Sequence, residues 1–172
     1  MLSSIPALAL AQEKVETQKV GFGHRTIYTE IIIDASPEQV WSVLTDTPSY
    51  SDWAVFMEQI EGKIKDQGEI IAYFKFNEDK DKLNEIPHII SVTPGREFAW
   101  SETFMMGMTD HHRFIVEATA DGKTRFIQSD SVSGGIAWLL GKSLINIEEA
   151  NYPRFNRSLK AEVERRFANT QS

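Results

Sequence analysis

The sequence predicts an α+β domain: a curved antiparallel sheet of six to seven strands wrapped around one long C-terminal helix, with two short helices after the first strand. Three observations predict it. Most of residues 24–133 falls into short alternating apolar runs separated by turn signals, which read as strands joined by hairpins. The stretch "DASPEQVWSVLTDTPSYSDW", residues 34–53, interrupts them with a helix start and a breaker at Pro48. Finally, Phe155, Leu159, Val163 and Phe167 recur at every fourth position, the stripe of an amphipathic helix. Short connections make the sheet antiparallel. Only the last helix is long enough to cover its concave face.

Taken in order, residues 1–22 read as a tail, because "EKVETQ" is polar and has no strong period. Two readings of "SIPALALAQE" stand side by side. It is a short apolar tail, and the protein is cytoplasmic as written; or residues 1–11 end a longer signal peptide cleaved after Ala11, and the protein is exported. A single domain then runs over 23–169. In "RTIYTEIIID", Ile27, Thr29, Ile31 and Ile33 share one face of a strand. Ser36 is an N-cap, Pro37 suits the first helical position and Gln39 completes a capping box. Val40, Trp41, Val43 and Leu44 form the apolar side of that helix, and a second short one ends near Trp53. Strands follow near 56–64, 69–77, 86–93, 97–105, 111–119 and 124–133, punctuated by "KDQGE", "NEDKDKLNE", "TPG", "GMTD" and "ADGK". Residues 136–168 read as helix, interrupted at Pro153, which removes one helix hydrogen bond. The segment before it, "GGIAWLLGKSL", reads either as a flap over an entrance or as a packed helix.

Composition excludes several classes of function. The chain has 172 residues, a formal net charge of −7 and no cysteine. No clustered basic surface is present to meet a polyanion, so nucleic acid is not expected as a partner. Disulfides, thiolate metal sites and a cysteine nucleophile are ruled out. The histidines His24, His88, His111 and His112 have no metal-ligand spacing, and adjacent His111 and His112 point to opposite faces of a strand. There is no phosphate-binding glycine loop and no nucleophile elbow. Ser133-Gly134-Gly135 lacks the lysine of a phosphate loop and fits a sheet-to-helix corner. No metal and no cofactor are therefore expected. No apolar run approaches the roughly 18 residues of a membrane span.

One pair of titratable groups stands out. The face of "HHRFIVEA" carrying His112, Phe114 and Val116 is apolar, so His112 points inward. On the next strand Phe126, Gln128, Asp130 and Val132 form the inward set. Both parities hold only with an odd loop, Ala120-Asp121-Gly122, with Gly122 in the left-handed region. That loop sets His112 opposite Asp130, whereas a two-residue Asp121-Gly122 turn would put them on opposite faces; a neighbouring carboxylate favours the charged imidazole. The pair reads either as an acid/base for cyclisation or dehydration or as a hydrogen-bonded polar pair at a cavity floor. Glu102 shares its facing with Trp100. Asn156, beside the helix stripe, faces either a ligand or a strand carbonyl.

The ordered set "IIIDASPEQVWSVLTDTPSYSDW", Trp100, "HRF" at 112–114, "TRFIQSDSVSGGIAWLLGKSL" and "NRSLKAEVE" resembles the START-like helix-grip superfamily. Within it the chain is most similar to the SRPBCC branch of polyketide cyclase/dehydrase-like and lipid-transport proteins. The resemblance implies a helix-grip fold and an internal cavity for a small hydrophobic or amphipathic molecule such as a lipid, isoprenoid or polyketide. Candidate lining residues are Trp53, Phe74, Phe76, Trp100, His112, Phe114, Gln128, Tyr152 and Asn156. The expected cavity is roughly 300 Å³ or more, bounded by Trp53, Trp100, Phe114 and residues 152–159. Two alternatives stand beside binding: a cyclase/dehydratase-type enzyme using His112 and Asp130, and a protein-interaction module of the stress or co-chaperone kind.

Overall fold

The computed structural model describes residues 13–75, 84–104 and 106–168. The strands are β1 (Glu13–Gly21), β2 (His24–Ile33), β3 (Met57–Gly62), β4 (Glu69–Phe74), β5 (Asn84–Thr93), β6 (Glu97–Phe104), β7 (Met108–Ala118) and β8 (Thr124–Ser133). Between β2 and β3 lie α1 (Pro37–Leu44), a 3-10 turn at Thr47–Ser49 and α2 (Tyr50–Trp53); α3 (Ala137–Phe167) follows β8. The strands form one sheet in the order β1-β2-β8-β7-β6-β5-β4-β3, and every neighbouring pair is antiparallel. The apolar stripe of α3 lies against this sheet, with Phe155, Leu159 and Val163 fully buried. This is the helix-grip architecture expected from the sequence.

The sheet has eight strands rather than six or seven. Residues 13–21, read as part of a tail, pair with β2 from Glu13↔Ile31 onwards. Nearly every residue of β1 is solvent-exposed. A strand with no buried face carries no apolar period, and this one is held by main-chain pairing at the sheet edge. Its lysines and glutamates suit an edge that must not recruit another chain.

The helix over 136–168 is continuous and not interrupted at Pro153. Proline cannot donate to the Glu149 carbonyl, but Pro153 is itself buried, and packing on both sides of it keeps the turn helical. The segment 137–147 is accordingly the start of α3. Its Trp138 and Leu139 are exposed, and Trp138 stacks on Phe22.

Two local devices follow the sequence closely. Gln39 N–H donates to Ser36 Oγ and Ser36 N–H to Gln39 Oε1, the reciprocal capping box at the start of α1. At the β7–β8 hairpin Thr119 N–H donates to the Lys123 carbonyl, which leaves residues 120–122 as a three-residue loop with Gly122 at φ 80°. The register Phe114↔Gln128 and Thr109↔Ser133 follows, and it carries His112 to the level of Asp130.

Candidate functional site

The inward face of the sheet is set by strand parity. On β5 to β8 it consists of even-numbered residues: His88 and Ile90; Phe98, Trp100 and Glu102; Asp110, His112 and Phe114; Phe126, Gln128 and Asp130. Cross-strand pairs arrange them in rows. Phe98 stands opposite Phe114, Trp100 opposite His112, and Glu102 opposite Asp110. Along the sheet, therefore, phenylalanine gives way to histidine and then to carboxylate.

At the polar end a cavity of about 340 Å³ opens between this face and the first half of α3. Its walls are apolar, from Phe56, Phe74, Ile86, Trp100, Phe104, Leu144 and Ile147. Among the described residues its titratable lining comprises His88, Glu102, Asp110, His112, Asp130, Glu148 and Tyr152, with no lysine or arginine. The Trp100 ring lies between the His88 ring, at 4.5 Å, and the His112 ring, at 4.6 Å. Phe56 is held at φ 72° in a tight turn closed by Met57 N–H to the Val55 carbonyl. Such backbone is costly for a bulky residue and here aims an aromatic ring at the cavity. A second depression, of about 560 Å³, lies on the outer face of β3–β5 beside Glu61, Gly62, Glu69 and Ile89. These are solvent-facing strand positions, joined by buried Ile70 and His88, whereas Asp110, His112, Asp130 and Glu148 line only the interior cavity.

Beneath the cavity runs a chain of hydrogen bonds. Asn156 Nδ2 donates to Thr29 Oγ1 at 2.8 Å, and Thr29 Oγ1 to the Gln128 carbonyl at 2.8 Å. The Gln128 amide nitrogen lies 3.0 Å from His112 Nε2. The Tyr152 hydroxyl is 3.3 Å from His112 Nδ1 and donates to Asp130 Oδ2 at 2.9 Å. The other Asp130 oxygen accepts from the backbone N–H groups of His111 and Ser131. One assignment satisfies all of these contacts: a neutral His112 with its proton on Nδ1, donating to Tyr152 and accepting from Gln128.

His112 and Asp130 face each other, but Nδ1 and Oδ2 are 3.7 Å apart and the Tyr152 hydroxyl bridges them. The expectation that the carboxylate favours a charged imidazole is corrected. Burial, with His88 and His111 nearby, drives the His112 pKa well below its ordinary value. Burial also lowers His88 to about 4. Glu102 Oε2 stands 2.9 Å from His88 Nδ1 without the direction of a hydrogen bond, and burial prevails. Among the acids, burial raises Asp130 to about 6 against its hydrogen bonds from Tyr152, Ser131 and His111. Burial and the charges of Asp130 and Glu102 raise Asp110 to about 7. Glu148 is raised well above its usual range by burial and by Asp130 and Asp110.

Of the nine lining candidates, Phe74, Trp100, His112 and Tyr152 border the cavity. Phe76 lies outside the described residues. Four others do not border it. Trp53 turns back onto Tyr50 and Phe155, with ring centroids 4.8 and 5.7 Å away, and closes the opposite, filled end. Phe114 stacks between His112 and Phe98 one row deeper. Gln128 and Asn156 engage their amide nitrogens in the hydrogen-bond chain beneath the cavity, while their amide oxygens have no partner.

The sequence reading passed over Asp110, Glu148 and His88. Parity would have found Asp110, two residues before His112, had the strand been started at 108 rather than 111. Glu148 continues the helix stripe back from Tyr152 by four, but a glutamate on that stripe reads as surface until the cavity is seen. Among the described residues, no group of three or more histidine, aspartate or glutamate side chains is placed to hold a metal ion. No described helix is long and apolar enough to cross a membrane.

Solved structures of similar shape share this fold at low sequence identity. The Zhui aromatase/cyclase from Streptomyces sp. R1128 superposes with a TM-score of 0.67 at 16% identity, over 87% of this chain and 99% of that one. The di-domain ARO/CYC StfQ of the steffimycin biosynthetic pathway gives 0.67 at 10% identity, over 83% of this chain and 51% of StfQ. MLL2253 from Mesorhizobium loti gives 0.62 at 16% identity, over 82% and 98%. No curated protein sequence matches. The sequence pattern of one family matches residues 24–164, nearly the whole sheet and helix. The chain belongs to the polyketide cyclase / dehydrase and lipid transport family.

Proposed function

We propose that the protein binds a small molecule with an apolar body and a polar end in the cavity between β5–β8 and α3. One observation carries this reading. The cavity is walled by aromatic and aliphatic side chains, yet Glu148 Oε2 and Asp110 Oδ1 at its edge have no hydrogen-bond partner. Buried polar atoms are normally satisfied, so a ligand group is the natural partner for these two. Apolar burial would supply affinity and the polar atoms orientation.

A specific observation supports acid–base chemistry as the second reading, with different residues from those the sequence suggested. Both His112 nitrogens are engaged by Gln128 and Tyr152, so His112 has no free lone pair to offer. Asp110 has a free oxygen and titrates near neutrality, where a general acid or base works best.

The binding reading is tested by native mass spectrometry of freshly purified protein for a retained small molecule, and by titration with a fluorescent apolar probe. Trp100→Ala, compared on folded protein, is expected to change probe affinity. Lys123→Ala, in an exposed turn, is expected to leave it unchanged. Equal effects of the two, or no binding to the natural protein, would sink the reading.

A further inference from the structure

We infer that the ligand of this cavity is a cation, an organic amine on an apolar body, with its ammonium group seated between Glu148 and Asp110. The inference rests on the binding reading above and adds the charge of the ligand. Among the described residues four carboxyl groups border the cavity: Glu102 on β6, Asp110 on β7, Asp130 on β8 and Glu148 on α3. The other titratable groups facing them are His88 on β5, His112 on β7 and Tyr152 on α3. None of these is positively charged at neutral pH, since burial holds both imidazoles neutral.

The cluster is not explained by ion pairing within the protein. Elsewhere the chain pairs its acids freely: Glu97 with Arg113, Glu162 with Arg165 and Arg166, Asp46 with Arg166. Glu148 is only 4% exposed and its Oε2 has no partner. A buried carboxylate without a counter-charge is strongly disfavoured, and the raised pKa values of Glu148 and Asp110 record that cost. A cation arriving in the cavity supplies the missing charge. Its N–H groups meet the unpartnered Oε2 and Oδ1, and its apolar body meets Trp100, Phe104 and Leu144. Among the described residues an anionic ligand such as a fatty-acid carboxylate would meet four carboxyl groups and no cationic side chain.

Binding must then be linked to protons. The amine favours the ionised carboxylates, so its arrival expels protons from them, and its affinity rises as the pH climbs through the range in which they ionise.

Three ligands sharing one bicyclic body decide the matter: naphthylmethylamine, naphthalenemethanol and naphthaleneacetate, titrated calorimetrically into the full chain. At about pH 8 the amine is expected to bind at least about tenfold more tightly than the alcohol, and the acetate most weakly. Only the amine should release protons, read as a heat that depends on the buffer, and only the amine should weaken markedly on going to about pH 5.5. In Glu148→Gln the gap between amine and alcohol should shrink while alcohol binding persists. If the alcohol binds as tightly as the amine, or the acetate more tightly, the cation inference is overturned and the binding reading stands. If none of the three binds, both fall. Should Glu148→Gln fail to fold, the three-ligand comparison on the natural chain still decides.

Discussion

The two halves of the space between sheet and α3 are built to one plan and end up opposite in character. Toward the C-terminal half of the helix, Phe98, Phe114 and Phe126 from the sheet meet Phe155 and Leu159, with Tyr50 and Trp53 closing the end; all but Trp53 are essentially inaccessible to solvent. Toward the N-terminal half, the same strands present Trp100, His112, Asp110 and Asp130 to Leu144, Glu148 and Tyr152, and a cavity of about 340 Å³ remains. Strand parity and helix spacing do not change between them. Only the side chains do. Phenylalanines interlock, whereas the polar side chains of the other half leave a cavity between sheet and helix. One half holds the fold together and the other is left open at a cost in stability, as expected of a site that binds something.

The largest effect that would test this contrast is Phe155→Ala. Phe155 is fully buried and its ring touches those of Tyr50, Trp53 and Phe114. Its truncation leaves a void in a filled region, and a loss of about 3–5 kcal/mol is expected in chemical denaturation. A loss as small as that of an exposed residue would mean that this half is not the packed one.

A smaller effect of distinctive shape is expected at Asp110. Its pKa rises from 3.8 to about 7 on folding. The folded chain therefore keeps a proton that the unfolded chain has lost, and Asp110 makes stability fall as the pH rises from about 4 to about 7. Asp110→Asn removes that slope. The variant should gain on the natural protein across this window by about 2 kcal/mol, allowing for its partial exposure, and run parallel above it. His88 acts with the opposite sign. Its pKa is lowered from 6.5 to about 4, so its contribution is intact above pH 6.5 and lost as the pH falls toward 4. The two slopes oppose each other, so the measurement must be the difference between variant and natural chain. A difference independent of pH would show that Asp110 is not held in a desolvated, acid-lined site.

Much of this architecture is legible in the sequence because it is periodic. The capping box at Ser36 and Gln39, the three-residue loop ending at Gly122 and the α3 stripe all follow from local rules. β1 does not, since an edge strand exposed on both faces has no apolar pattern to read. Nor does the emptiness of the cavity. Parity brings His112 and Asp130 face to face, but only coordinates show Tyr152 between them. From its place at a helix end Trp53 is expected at the cavity wall; it packs instead on Phe155 at the filled end, and which end stays open depends on long-range contacts across the sheet. Glu148 was hidden for a related reason. A glutamate among helix residues reads as solvent-facing unless the partner surface is known to be polar.

The smallest effect on stability should come with the clearest effect on binding. Leu144 is half-buried on the cavity wall, one helical turn before Glu148. Leu144→Phe sends a ring into open volume, so it need not displace packed neighbours as the same enlargement would in the filled half. Its stability is expected to stay within about 1 kcal/mol of the natural chain, or to rise slightly. The ring occupies space the ligand needs, so the affinity for naphthalenemethanol should drop by about tenfold or more. The control is Leu159→Phe, the same change at a fully buried position among Phe155 and Val163, which is expected to cost about 1–3 kcal/mol by overpacking. If Leu144→Phe instead destabilised the protein as much as Leu159→Phe, the N-terminal half would be as tightly filled as the other, and the contrast on which the binding reading rests would be gone.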